Sequence, residues 1–117
     1  MTVGEFIDSV RSAAAELPFI AEVLVVDQTD YAAKIMLRVR VDLFIQLYAN
    51  LDAGTRGYAL VCRGQRIYGR DHDAQGWHRH TRENPLTHDA SAEGQRAVEV
   101  GEFLREVQDI LEEEGLL

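Results

Sequence analysis

What the chain lacks narrows it before any motif is read. Its 117 residues include one cysteine, Cys62, so no internal disulfide is available. The place of Cys62 in an apolar run predicts a small buried hydrophobe in a reducing cytoplasm. No run approaches the roughly eighteen consecutive apolar residues of a membrane span. The start, Met1-Thr2-Val3-Gly4-Glu5, has neither the basic flank nor the apolar block of an export signal. The expectation is a soluble cytoplasmic protein with no membrane partner. Repeats, linkers and low-complexity tracts are also missing. With 46% apolar and 27% charged residues, residues 1–117 should form a single globular domain.

Positive charge is scarce as well. The net charge of -8 ordinarily argues against a nucleic-acid partner, because phosphate binding is dominated by lysine and arginine. The charge is unevenly spread, however: residues 56–82 carry six basic and two acidic groups, while residues 99–117 carry one and seven. A local positive field on an acidic protein suits an anionic ligand of limited size. The acidic Glu112-Glu113-Glu114 reads as a solvated helix face.

Periodicity supplies the fold class. Thr2 and Glu5 form a capping-box pattern, after which Phe6, Ile7, Val10, Ala14 and Leu17 recur at helical spacing. This predicts a helix over 3–16, stopped by Pro18. Ile20, Val23, Val25 and Val26 favour a strand between Phe19 and Thr29. Lys34 to Val41 alternates with period two, Leu43 to Asn50 continues the alternation, and Tyr58 to Cys62 makes a short strand. Arg63-Gly64 closes a hairpin onto Gln65 to Arg70. A last helix carries Val100, Phe103, Leu104, Val107, Ile110 and Leu111 as its stripe and ends near Gly115. The expected fold is α+β: a two-layer sandwich with a meander of about five antiparallel strands and both helices packed on one sheet face. The opposite face should show Arg38, Arg40, Gln46, Tyr48, Arg66, Tyr68 and Arg70. Asp71 to Val98 should be one long loop, and loops of that length are usually functional or disordered.

That loop holds the chemistry. All four histidines, His72, His78, His80 and His88, fall within seventeen consecutive positions, beside the only tryptophan, Trp77. Imidazole titrates near neutral pH and is the commonest metal ligand. In an extended segment His78 and His80 project to one side, Trp77 and Arg79 to the other. Two chemistries use such a set. In the first, His78 and His80 with His88 ligate a divalent metal and leave an open position, Asp71 being an alternative third ligand. In the second, no metal or other cofactor is required. His78 and His80 then act as acid and base on an RNA phosphodiester, with Asp71 or Glu83 orienting a histidine. Arg66, Arg70 and Arg79 hold phosphate, and Trp77 or Tyr68 stacks on a base. A plainer reading also stands, in which the same loop and sheet face form a non-catalytic surface for a protein partner, a metal ion or a symmetric homodimer.

At Gln65-Arg66-Ile67-Tyr68-Gly69-Arg70-Asp71, followed by Gly76-Trp77-His78-Arg79-His80 and Asn84-Pro85-x-x-His88, the chain resembles the TumE-like family of small toxin-antitoxin proteins. The likeness covers roughly residues 35–112 and is weaker before Val41. It implies a single α+β domain in which Asp71, His78, His80 and His88 match the family's polar motif. It also implies a helix-turn-helix antitoxin as partner and a growth-inhibiting, RNA-directed activity.

Overall fold

The computed structural model describes residues 1–117, in the order α1 (Val3–Ala15), β1 (Glu22–Gln28), β2 (Ala32–Arg40), β3 (Leu43–Asn50), β4 (Thr55–Cys62), β5 (Gln65–Asp73), β6 (Gly76–His80) and α2 (Val100–Glu113). Helix α1 begins where the capping pattern places it. The Glu5 N–H donates to Thr2 Oγ1 at 3.1 Å, and the Thr2 N–H donates to the Glu5 carboxylate at 2.9 Å. Two orphan amide donors are thereby satisfied at one helix end.

All strands are antiparallel, in the spatial order β1-β2-β3-β4-β5-β6. The sheet therefore has six strands, where the sequence predicts about five. The sixth lies inside the expected 71–98 loop: β5 runs on to Asp73, a tight turn through Ala74 and Gln75 follows, and Gly76–His80 returns beside it. In the β4–β5 hairpin, Arg63 and Gly64 have φ of 51° and 77°. Positive φ at both positions is what a two-residue type I′ turn requires, which explains glycine at the second.

The core lies between the helices and one face of the sheet. Ile35, Leu37, Ile45, Leu47, Leu60, Phe103, Leu104 and Val107 have no exposed surface. Burial of each such side chain contributes about 1.5–3 kcal/mol. Cys62 is half-buried against this cluster. No helix is long and apolar enough to cross a membrane.

One irregularity decides which residues reach the open face. In the β4–β5 ladder Leu60 pairs with Tyr68, but Val61 pairs with Arg66, so Ile67 is an extra residue in a bulge. The bulge reverses the alternation. Arg66 stays on the open face, whereas Tyr68 and Arg70 turn toward the helices, where Tyr68 is 6% exposed and Arg70 has no exposed surface. The expectation that all three share the outer face is thus corrected.

After β6 the chain wraps the sheet edge as a strap, residues 81–99. Asp89 and Arg79 exchange backbone hydrogen bonds at 2.7 and 3.4 Å, covering the outer edge of β6. The strap then crosses to the helical layer. There the Arg70 guanidinium donates to the Glu93 carbonyl at 2.7 Å, and Val98 enters the core.

Candidate functional site

The β-alternation of β6 sets His78 and His80 on the open face and Trp77 and Arg79 on the helical side. Register does the rest, since His78 lies opposite Asp71. The Asp71 carboxylate is the centre of the arrangement. Its Oδ2 is 3.6 Å from His78 Nε2 and 3.4 Å from His80 Nε2. Arg66 grips the same group with two donors, Nη2 to Oδ1 at 2.8 Å and Nη1 to Oδ2 at 3.0 Å, and Nη2 also donates to the Tyr58 carbonyl at 3.2 Å. A bidentate guanidinium fixes both the position and the plane of the carboxylate. Gly69 is required here, because a Cβ at that position would run into the Arg66 guanidinium.

The strap delivers the third imidazole. His88 stacks on His78 with ring centroids 4.0 Å apart and meets His80 edge-on at 4.9 Å. His78 and His80 are each 9% exposed, while His88 is exposed. One ring nitrogen from each of the three lies within 4.8 Å of the others. The donor set fits a divalent metal of the zinc type, which takes neutral imidazole nitrogens and keeps a fourth position open.

His80 is oriented further. Its Nδ1 is 2.9 Å from the Pro85 carbonyl, which can only accept, so Nδ1 carries the proton and Nε2 of the neutral ring is left as an acceptor facing Asp71. Burial, and after it the neighbouring Arg66 cation, pushes the His80 pKa down. Its neutral form is therefore favoured near neutral pH, the state required of a base or a metal ligand.

The other predicted site residues stand elsewhere. Arg70, on the helical side, donates to the Glu106 carboxylate at 2.7 and 3.1 Å and to the Glu93 carboxylate at 2.9 Å. Burial alone would lower its pKa, but these carboxylates hold it above the usual arginine value. Tyr68 donates to Glu106 at 2.9 Å and stacks on Phe103. Arg79 is held by Asp89 at 2.6 Å, and the bonds Asp89 accepts from Ser91 and then from Arg79 depress its pKa to about 2. Trp77 packs against Tyr58 and His72, with centroids 6.0 and 5.2 Å away. Glu83 is exposed and bonds no histidine, whereas Asp71 faces two. Of the cations expected to hold phosphate, only Arg66 borders the cluster, and Trp77 and Tyr68 are aromatic packing of the helical layer.

Three contributors have no obvious signature in the sequence. The Pro85 carbonyl orients His80 through backbone geometry alone, and Glu93 and Glu106 anchor Arg70 from 23 and 36 residues away. Comparison with protein-family models, with curated proteins and with solved structures gives no match, so the reading of this cluster rests on its own geometry.

Proposed function

We propose that the cluster of Asp71, His78, His80 and His88 is a reactive centre for RNA phosphodiesters, in a toxin-like protein of the kind its 65–88 segment resembles. The observation that carries this reading is the convergence of three imidazoles on one arginine-held carboxylate at an open sheet face. His80 acts as base: Nδ1 is anchored on Pro85, and Nε2 takes the 2′-hydroxyl proton. One of the stacked rings, His78 or His88, supplies the acid by passing an imidazolium proton to the leaving 5′-oxygen. Asp71, kept in place by Arg66, stabilises the imidazolium that forms on His80. Arg70 and Arg79 are engaged by Glu93, Glu106 and Asp89, so the positive charge that meets the phosphorane comes from the imidazolium groups.

A second reading has its own observation, the 4.8 Å proximity of the three ring nitrogens. In it the cluster binds a divalent cation in a non-catalytic module.

Purified protein incubated with a labelled RNA panel, with and without EDTA, separates the two. Cleavage that persists in EDTA and disappears in His80→Ala supports the acid-base centre. Loss in EDTA moves the chemistry onto a metal held by His78, His80 and His88. Saturable zinc or manganese uptake without cleavage favours the binding module. In cells, the active centre predicts growth inhibition that His78→Ala or His80→Ala abolishes and a helix-turn-helix partner relieves; toxicity unchanged in both variants would sink it.

A further inference from the structure

The open sheet face beyond the cluster has a definite layout. Across the strands, the row starting at His78 continues through Asp71, Gly57 and Tyr48 to Lys34. The adjacent row runs from His80 through Gly69, Ala59 and Gln46 to Met36. Next to the cluster the floor is thus made by Gly57 and Ala59 of β4, where little or no side chain rises from the sheet, while the Arg66 guanidinium lies over Gly69. A Cβ at Gly57 would meet Asp71 Oδ1 at 3.6 Å and Tyr48 Cβ at 3.9 Å, so Asp71 and Tyr48 flank the gap. From β3 to β5 the trough spans two interstrand spacings, about 10 Å. Asp71 and the Arg66 guanidinium wall one side of it, and Tyr48 and Gln46 the other.

Charge is divided as well. The six strands carry seven basic and four acidic residues, and the rest of the chain five and sixteen. Arg56, Arg70 and Arg79 lie on the helical side, however, so Lys34, Arg38, Arg40 and Arg66 balance Glu22, Asp27, Asp71 and Asp73. The open face is therefore neutral on an acidic molecule. Lys34, at the far end of the first row, makes no ion pair, whereas Arg38 and Arg40 are taken by Glu22 and Asp42.

We infer that this trough is a binding platform for single-stranded RNA, with a base stacked on Tyr48 and the backbone running from the histidine cluster to Lys34. The inference rests on the reading of the cluster as a centre for RNA and adds its substrate form and two binding residues. A flat floor with a flanking aromatic ring admits the face of an unpaired base, whereas a duplex keeps its base faces stacked inside. Base stacking on an aromatic ring tolerates any sequence, and one free lysine supplies one phosphate contact. The acidic helical layer, on the other side of the sheet, confines a polyanion to this face.

Anisotropy of a fluorescent, mixed-sequence single-stranded RNA oligonucleotide tests the platform, in a His80→Ala background so that no cleavage intervenes. Tyr48→Ala should weaken binding about tenfold or more, while Tyr48→Phe, which still stacks, stays within about twofold. Lys34→Ala should weaken it about threefold at low salt, and a duplex of the same sequence should bind less tightly than the single strand. Circular dichroism checks that each variant is folded. Unchanged affinity in Tyr48→Ala, equal binding of duplex, or no RNA binding in the His80→Ala background would each overturn the platform; in the last case the face is left to a protein. A wild type that cleaves RNA while Tyr48→Ala keeps its KM and affinity preserves the reactive centre and removes the platform. Tyr48-dependent binding without cleavage does the reverse.

Discussion

His80 sets the pH behaviour of the cluster. Burial and the Arg66 cation disfavour its imidazolium, so the native state holds this proton less tightly than the unfolded chain does. Above about pH 6.5 the ring is neutral in both states and its effect is level. As the pH falls below that value, the unfolded chain takes up a proton that the native state refuses, and the stability due to this residue declines. An NMR titration of the imidazole Cε1–H should give a midpoint below the ordinary histidine value, and Arg66→Gln should move it upward; a midpoint at or above 6.5 in the native protein contradicts the assignment. Gly69 is the other single-residue control. In Gly69→Ala the new methyl group occupies the place of the Arg66 guanidinium and displaces it from Asp71. Loss of this partly buried bidentate bond should cost about 1–3 kcal/mol. Urea unfolding should record that loss with the circular dichroism unchanged, and RNA cleavage should fall with it; full activity would mean that Arg66 does not position Asp71.

At the scale of elements, the arginines divide according to the β5 bulge. Arg66 serves the open face, and Arg70, three positions past the bulge residue, ties the strap to α2 through Glu93 and Glu106. Removing one partner of a buried pair strands the others, so Arg70→Ala should destabilise the fold by about 3 kcal/mol, at the low end for such pairs because Glu93 and Glu106 are partly exposed. A shift in the urea midpoint with an unchanged m-value is the expected record; a loss below about 0.5 kcal/mol, typical of surface changes, would rule out the anchoring role. This division also marks how far the sequence could be read. Both helices, five strands and the tight hairpin at Arg63-Gly64 followed from spacing and turn residues. So did the common face of His78 and His80, because alternation holds within any extended segment. The bulge at Ile67 did not, since one extra residue in a ladder leaves no mark in Gln65 to Arg70 that differs from plain alternation. Strand β6 was hidden because Gly76–His80 is short and polar and carries no apolar alternation. The position of His88 depends on the path of the strap, which tertiary contacts fix rather than local preference.

Charge is unevenly spread over the whole molecule, with a neutral open sheet face and strongly acidic helices and connections. That arrangement limits how a polyanion can be held. An acidic chain that grips RNA on a neutral face neutralises few phosphates, because the Arg70 and Arg79 charges are cancelled internally and Arg38 and Arg40 are paired at the surface. For single strands each neutralised phosphate contributes a slope of about -0.7 to the dependence of log K on log salt concentration. The one contact from Lys34 therefore predicts a slope of about -0.7, and each imidazolium group formed as the pH falls adds about as much. Lys34→Ala should flatten it by about 0.7, and raising the pH above the histidine range should flatten it further as the imidazolium charge is lost. A slope steeper than about -4, or one indifferent to both changes, would require a larger basic surface than this sheet presents and would place the RNA elsewhere on the molecule.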